Sequence, residues 1–555
     1  MPIQIRKPSR RLRALLAAAV LTGLAAHAHP ASAEWALPKE AAPLGPPDLK
    51  QSITTRDIAP GITYAQILRG KPAPADFWTV STGFYPTEAA AAADAAALSK
   101  ASFTPRLDPS AGTHLNGKLL GYWLSTGTFD SEAAARKAAQ DITAATTLKP
   151  VARNTSIAGH PTTGPWVINV LALAPGETAA TLNVALPSHD NLGGGGETVT
   201  EAATRTNALA AMNGGFFTNI NPFKAKLPSR SPLGATVVDG RLVAGANGFR
   251  PGVLIETAAD GHPTVKLLAR ITTEINVSDT QGDITEITTI DRPILGTVVN
   301  CGSQAEGKFT APAQDYVCTN LDDLVLYDSV YLHGTASNTQ VDASYHGPTY
   351  ELVISADGSV IGGHATLGSA PPAGGYVLQG LGRKVAWLEA HATPGTKLTV
   401  TEHLYAEGKE IPLTKGVSIL ECGPTLSAAN LVTQATTEGF SPDVNGVDEG
   451  EGTGTILQNW YNGWFVARNP RSAIGVTPDG TILLVEIDGR QPTLSVGTSI
   501  PETAAVMKWL GATSALNLDG GGSSNMIVKG IQVGHPSDTT GERGVGSNLA
   551  LLARP

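Results

Sequence analysis

Cysteine is nearly absent from this chain. Cys301, Cys318 and Cys422 are the only three in 555 residues, so no disulfide framework builds the fold. Cys301 and Cys318 close a short loop and suit a pair in an oxidising compartment. Cys422 then reads as a small buried hydrophobe, since no histidine partner is in view to make it a nucleophile. Positive charge is also in deficit, with 39 Lys and Arg against 48 Asp and Glu, a net charge of −9. An acidic chain repels phosphate backbones and anionic lipid surfaces, so no nucleic-acid partner is expected. Beyond the N-terminus no run is apolar enough to span a bilayer, which argues against stable membrane insertion. The 12 histidines are scattered without zinc-ligand spacing.

The first 33 residues carry the basic, apolar, small-residue order of a signal peptide. Arg6, Lys7, Arg10, Arg11 and Arg13 precede the apolar run Ala14–Ala26, and Ala31-Ser32-Ala33 places cleavage before Glu34. The run is shorter than a transmembrane anchor, and Arg13 with Ala14 breaks a twin-arginine pattern, which favours the ordinary secretory route. Removal of those five basic groups and no acidic one moves the charge from −9 to about −14. The expected location is periplasmic or extracellular. A chain of this length exceeds one hydrophobic core, so more than one domain is expected.

Residues 34–74 are rich in proline and alanine and read as an extended linker. A repeat follows, in which Thr82-Gly83 and Glu88-Ala89-Ala90 recur as Thr126-Gly127 and Glu132-Ala133-Ala134. Each copy has a strand-like run before it and an alanine-rich helix after it, so the two copies predict one small βαββαβ sheet with both helices on one face. Over residues 75–154 this repeat resembles the sporulation-related repeat (SPOR) family, which binds peptidoglycan glycan strands. That resemblance implies sugar contacts from Trp78, Phe84, Tyr122 and Trp123 on the open sheet face, because aromatic faces stack on sugar rings. Filling of the core under the helices is the alternative for each.

Residues 155–555 read as β-rich, an α+β domain with a large mixed sheet. Helices are expected only at Glu197–Ala211, Gly380–His391 and Pro501–Leu510. Three stretches carry chemistry. Asn517-Leu518-Asp519-Gly520-Gly521-Gly522-Ser523-Ser524 sets a carboxylate before three glycines and two hydroxyls, a turn that can aim N–H groups at an anion. Arg471-Ser472 opens a strand, and Glu486 and Asp488 share one face of the next by period-two alternation. Far upstream stands Asn213-Gly214-Gly215-Phe216-Phe217.

Together with Gly423-Pro424-Thr425-Leu426 and Pro470-Arg471-Ser472-Ala473-Ile474-Gly475, these motifs resemble the phosphodiester glycosidase family, from about Thr155 to the C-terminus. Members include an enzyme that removes N-acetylglucosamine from a sugar-1-phosphate diester. Two features depart from the family pattern: Cys422, where many members carry Gly, and the long segment from about Arg250 to Gly375. The resemblance implies an exported hydrolase that cleaves a sugar-1-phosphodiester of the cell envelope or an exopolysaccharide, located at peptidoglycan by the repeat domain. A non-catalytic glycan-binding envelope protein is the alternative.

The leaving group explains the residue types. A departing phosphate ester is already a weak base, so proton donation matters less than in an ordinary glycoside. Holding the phosphate and delivering a nucleophile or base to the anomeric carbon matter more. On that logic Arg471, Ser472, Gly520, Gly521, Gly522, Ser523 and Ser524 grip the phosphate, Asn213 and Gly214 orient the sugar, and Asp519, Asp488 and Glu486 act at carbon. An ion pair or a capping role is the alternative for Arg471 and Asp488. No cofactor is implied. The acidic stretch Ser441–Glu451 lacks EF-hand spacing and reads as a loop at the substrate entrance, with calcium the one metal it suggests.

Overall fold

Trp166–Leu173 is buried at all eight positions, the signature of a strand covered on both faces. In the computed structural model, which describes residues 35–187, 196–218, 230–246, 250–299, 317–329, 337–440 and 460–554, it lies inside a six-stranded antiparallel sheet. The order is Gln51–Ala59, Ile62–Arg69, Trp166–Leu173, Ile482–Ile487, Arg471–Val476, Ser514–Asn517. On one face Leu171, Leu484 and Ile474 meet Ala210, Met212, Leu549 and Leu551 of a five-stranded sheet in one shared core. Helix Ile500–Trp509 covers the other face. It starts on a Ser499/Glu502 capping box with Pro501 in the first turn, which satisfies the orphan N–H groups of its N-terminus. Gly475 makes room for it: a Cβ there would stand 2.6 Å from Met507 Cε.

A second core occupies the segment that departs from the family pattern. Leu254, Ile275, Leu324, Leu352, Leu378 and Leu404 pack together from strands spread over three further sheets. Of the described residues 16% are helical and 39% lie in strands, which bears out a β-rich fold with few helices. Several smaller sheets replace the single large mixed one expected. Their strand pairings are antiparallel apart from Thr289–Ile290 beside Leu324–Asp328.

Two expected helices are shortened by strand pairing. Helix Val199–Arg205 ends early because Ala210–Asn213 pairs with Met526–Val528 and Asn548–Ala553. Arg383–Ala390 starts late because Tyr376–Leu381 is a strand. The linker expected over 34–74 is corrected more sharply. Ile62–Arg69 pairs along its whole length with Trp166–Leu173. The buried Arg69 guanidinium ties down the preceding segment through the carbonyls of Leu44 (2.7 Å), Leu49 (3.1 Å) and Pro46 (2.6 Å).

The repeat forms a four-stranded antiparallel sheet, Pro105–Pro109, Tyr122–Phe129, Trp78–Tyr85, Val151–Asn154, with helices Glu88–Lys100 and Glu132–Ala145. Equivalent serines of the two copies meet, Ser81 Oγ lying 3.1 Å from Ser125 Oγ. The hairpin between its first two strands docks on the turn Asn462–Val466: Ser110 Oγ donates to Asn462 Oδ1 at 2.5 Å, and a Cβ on Gly112 would lie 2.5 Å from Val466. This sheet is therefore built into the larger body, and Leu37–Pro555 forms one compact unit.

Candidate active site

Alternation along the central strands puts a polar row at one end of the sheet sandwich. Asn169 and Glu486 each lie two residues from a core leucine on their own strand, Leu171 and Leu484, and so point into the same interior. Gln66, Asn169, Glu486 and Ser472 are successive cross-strand partners. Asn169 Oδ1 accepts from Tyr64 Oη (2.7 Å) and Gln66 Nε2 (3.1 Å), and its Nδ2 donates to Glu486 Oε2 at 2.7 Å. Burial, reinforced by Asp488, pushes the Glu486 carboxyl well above its usual range. Asp488, also fully buried, accepts from the His535 backbone N–H (2.5 Å) and lies 2.7 Å from His535 Nδ1. That bond raises the imidazole pKa, with burial opposing.

Asp519 sits just beyond strand Ser514–Asn517. Gly423–Leu426 braces that strand: Asn517 Nδ2 donates to Gly423 O (2.9 Å), and the Leu426 N–H donates to Ala515 O (2.8 Å). Asp519 is half-buried, and its carboxyl is pushed up to about 6 by burial, against the opposing pull of Ser523, the Gly520 N–H, Arg543 and Arg230. Three guanidinium groups share this neighbourhood. Arg543 pairs with Asp538 at 2.6 Å. Arg490 donates to Asn469 Oδ1 (3.0 Å) and lies against the glycine turn, where a Cβ on Gly521 would be 3.1 Å from its Nη2. Desolvation lowers the pKa of both Arg490 and Arg230 and the Arg543 charge lowers them further, while Asp519 and Asp538 raise both. Arg230, Arg490 and Arg543 thus share a neighbourhood with the carboxyl groups of Asp519 and Asp538. None of the three, nor Asp538 or His535, was singled out from the sequence. A cluster of charges between His535 and Arg543, directly ahead of the last strand, was the available signal.

Several expected ligand groups are spent inside the fold. Arg471 is 1% exposed; its Nε donates to Thr498 O at 3.0 Å and its Nη2 to Trp464 O, and the guanidinium stacks over the Trp464 ring. Alternation is the reason: Arg471 and Ser472 point to opposite faces, Ser472 bonding Asn213 while the Arg471 guanidinium turns to Thr498 and Trp464 and its Cδ lies 3.8 Å from a Cβ placed on Gly520. Asn213 is fully buried. Its Oδ1 accepts from Ser472 Oγ (2.6 Å) and its Nδ2 donates to Asp519 O (2.7 Å), so it holds the loop in place. Gly214 binds the same loop through its carbonyl, which accepts from the Asp519 N–H at 3.1 Å. Ser524 Oγ lies 3.3 Å from Ser472 Oγ, and Ser523 is buried beside Asp519.

The glycine row is also partly committed. The Gly520 N–H donates to Asp519 Oδ1 (2.9 Å) and the Gly521 N–H to Pro470 O (2.9 Å). Glycine is required for close approach: a Cβ on Gly522 would fall 2.2 Å from Asp538 Oδ1 and 2.3 Å from Arg543 Nη2, and Gly521 has φ +63°.

In the small sheet Phe84 is 3% exposed and packs edge-on to Trp123, with ring centroids 5.2 Å apart. Arg153 covers the Trp123 ring at 4.9 Å. Trp78, Tyr122 and Trp123 keep partial exposure, whereas Phe84 serves the packing. Cys422 is free and buried, and burial, then the Asp519 charge, raise its thiol pKa. Cys318 is disulfide-bonded, while Cys301 and the acidic stretch 441–451 lie outside the described residues. Among the described residues no group of three or more His, Cys, Asp or Glu is placed to hold a metal, and no helix is long and apolar enough to cross a membrane.

Residues 350–552 match the phosphodiester glycosidase family model, a span that includes Asp519 and Arg490 but not Asn213. A crystal structure of a protein from Burkholderia pseudomallei K96243, named "Putative exported protein", is 60% identical, covers 94% of this chain and all of its own, and superposes with a TM-score of 0.88. The prophage-derived protein YomE of Bacillus subtilis (strain 168) is 36% identical over 84 residues, 15% of this chain and 13% of that protein's length. The zebrafish N-acetylglucosamine-1-phosphodiester alpha-N-acetylglucosaminidase catalytic domain covers 81% of this chain and 84% of its own at 12% identity and a TM-score of 0.30, a likeness too slight to argue from. With 60% identity along nearly its whole length, the chain belongs to the family of the Burkholderia protein, and its residues 350–552 match the phosphodiester glycosidases.

Proposed function

We propose that this protein is an exported hydrolase that cleaves the glycosidic bond of a sugar-1-phosphodiester at the Asp519 site. The observation that carries this reading is the convergence of Arg490 and Arg543 on the glycine turn beside Asp519, where a Cβ on Gly521 would lie 3.1 Å from Arg490 Nη2 and one on Gly522 2.3 Å from Arg543 Nη2. Arg490 and Arg543 hold the phosphate oxygens, in the role first expected of Arg471. Asp519, largely ionised at neutral pH with a pKa of about 6, acts at the anomeric carbon as base or nucleophile. In the overall reaction water adds to that carbon and the C1–O bond breaks with its electron pair going to the phosphate monoester. One proton from water goes to solvent through the carboxylate. Asp488 and Glu486 stand behind this centre and keep the sheet end rigid.

The reading extends to location. The N-terminal sequence and the name of the Burkholderia relative support export. Glycan contact by the small sheet rests on Tyr122 and Trp123, since Trp78 packs against the core under the helices; these two would hold the enzyme near peptidoglycan. N-acetylglucosamine is the sugar we would offer first.

The test is sugar release from an alkyl N-acetylglucosamine-1-phosphodiester, and from a panel of other sugar-1-phosphodiesters, by the mature protein beside Asp519→Asn. Release by the wild type and loss in the variant support the assignment. No release from any of them by a folded protein would overturn it in favour of a glycan-binding role.

A further inference from the structure

Three bonds converge on His535. Its backbone N–H donates to Asp488 Oδ1 at 2.5 Å, its ring Nδ1 lies 2.7 Å from Asp488 Oδ2, and its carbonyl accepts from Gln491 Nε2 at 2.8 Å. Asp488 is fully buried, and its own carbonyl accepts from Ser495 Oγ at 2.6 Å, so this end of the tie is fixed to the sheet. Residues 488 and 491 therefore grip one residue of the loop before the last strand by its main chain and its side chain together.

What the tie brackets gives it a purpose. Arg490 stands between the two gripping residues with a left-handed φ of +60°, a conformation that costs a non-glycine residue free energy and persists where its surroundings impose it. Its guanidinium is the one that lies against Gly521. On the other side of the tie, Asp538 follows His535 by three residues and pairs with Arg543 at 2.6 Å, and both approach Gly522. The loops that bring Arg490 and the Asp538–Arg543 pair to the glycine turn are thus joined at one residue.

Charge sets how firmly they are joined. Around Asp488 stand Glu486 on its own strand and the Tyr64 hydroxyl of strand Ile62–Arg69, with Arg56 over the Tyr64 ring at 4.8 Å. The cation bonded directly to the carboxylate is the His535 imidazolium, and a hydrogen bond with charge on both partners is stronger than a neutral one. From this geometry we infer that Asp488 and His535 form a latch that positions Arg490 and Arg543 for a phosphate ester and grips most firmly when the imidazole is protonated. Asp488 raises the imidazole pKa, so the charged latch is complete below the ordinary histidine value and loosens as pH climbs past the raised one. His535 is a positioning residue that acts through the arginines, and the inference rests on the phosphate-holding role proposed for them.

The test compares the mature full-length wild type with His535→Ala, His535→Asn and Gln491→Ala. The alkyl N-acetylglucosamine-1-phosphodiester is the substrate, and inorganic phosphate is a ligand that needs no reaction. His535→Ala should raise KM about tenfold and weaken phosphate binding, read by calorimetry, by a similar factor, with kcat changed less than about threefold. In His535→Asn the amide Nδ2 can donate to Asp488 in place of the ring, so KM should return to within about threefold of the wild type. The diester keeps a single charge from about pH 6 to about pH 9, so a KM that rises over that range in the wild type and stays level in His535→Asn reports the imidazolium itself. Gln491→Ala, at the partly exposed end of the tie, should raise KM about threefold and keeps the test open if a His535 variant fails to fold. A KM unmoved by His535→Ala, a loss carried in kcat alone, or a pH profile that His535→Asn leaves unchanged would each overturn the latch, while turnover itself upheld the hydrolase. Phosphate binding weakened by His535→Ala in a protein that cleaves no diester would keep the latch and overturn the hydrolase. Neither phosphate binding nor cleavage would overturn both.

Discussion

Glu486 and Asp519 are carboxyls at the same end of one sheet sandwich, joined by a short chain of contacts. Glu486 lies beside Ser472 across the strand pair, Ser472 bonds Asn213, and Asn213 bonds the Asp519 carbonyl. Their environments differ in one respect that decides their chemistry. Glu486 is sealed, has Asp488 for a neighbour and an amide for a partner, so burial and the Asp488 charge work against its ionised form. Asp519 touches solvent and has arginines around it, so its charge is restored where a substrate can reach it. Nearness to the site is thus no measure of a role in it. A carboxylate acts where burial is answered by positive charge.

The largest test of that difference is Asp519→Asn, which should lower kcat/KM by about a thousandfold or more. The same change should raise stability at pH 7 by about 1–2 kcal/mol, because a raised carboxyl pKa means that the ionised form costs folding free energy. That cost is absent below the unfolded value near 4 and complete above about pH 6, so the gain seen by calorimetry should vanish in acid. Arg490→Ala comes next, with a loss of about a hundredfold carried mostly in KM and a weaker salt dependence of binding. In the wild type kcat/KM should fall about tenfold per pH unit below pH 6 as Asp519 takes up its proton; a profile flat to pH 5 would remove Asp519 as base or nucleophile.

His535→Ala should cost about 1–2 kcal/mol, modest because half of the ring faces solvent. Since its pKa is raised in the fold, that contribution is fullest below about pH 6.5 and fades as pH climbs past the raised value. Unfolding at pH 6 and pH 9 separates the two. Glu486→Gln should change activity less than threefold, because the sealed side chain bonds Asn169 behind the Asp519 site; a large loss would return Glu486 to the reaction.

Asp519 and the motifs around it stand out in the sequence because glycine and aspartate in close succession have few structural uses. Arg471 is different: its neighbour Ser472 faces the site while Arg471 faces helix Ile500–Trp509; the strand's alternation held that information, but not which face was which. Asn213 bonds the Asp519 loop, a contact its sequence position does not reveal, since an amide in a strand that ends at the site can bind either a ligand or the loop. Arg230 and Arg490 were missed because they lie in separate loops with nothing local to mark them as convergent, and Arg543 because the charge cluster from His535 to Arg543 was not singled out.

The residues alone determined that this chain is β-rich and that Asp519 stands at the end of a strand beside a tight turn. Strand period, turn residues and capping boxes are local, and they act over a few positions. Tertiary structure decided the rest: that residues 51–69 are sheet rather than linker, that the Arg471 and Asn213 side chains bond within the fold, and that Arg230, Arg490 and Arg543 converge near Asp519. Each depends on which faces meet across long loops, and on the desolvation that follows, which no window of neighbouring residues contains.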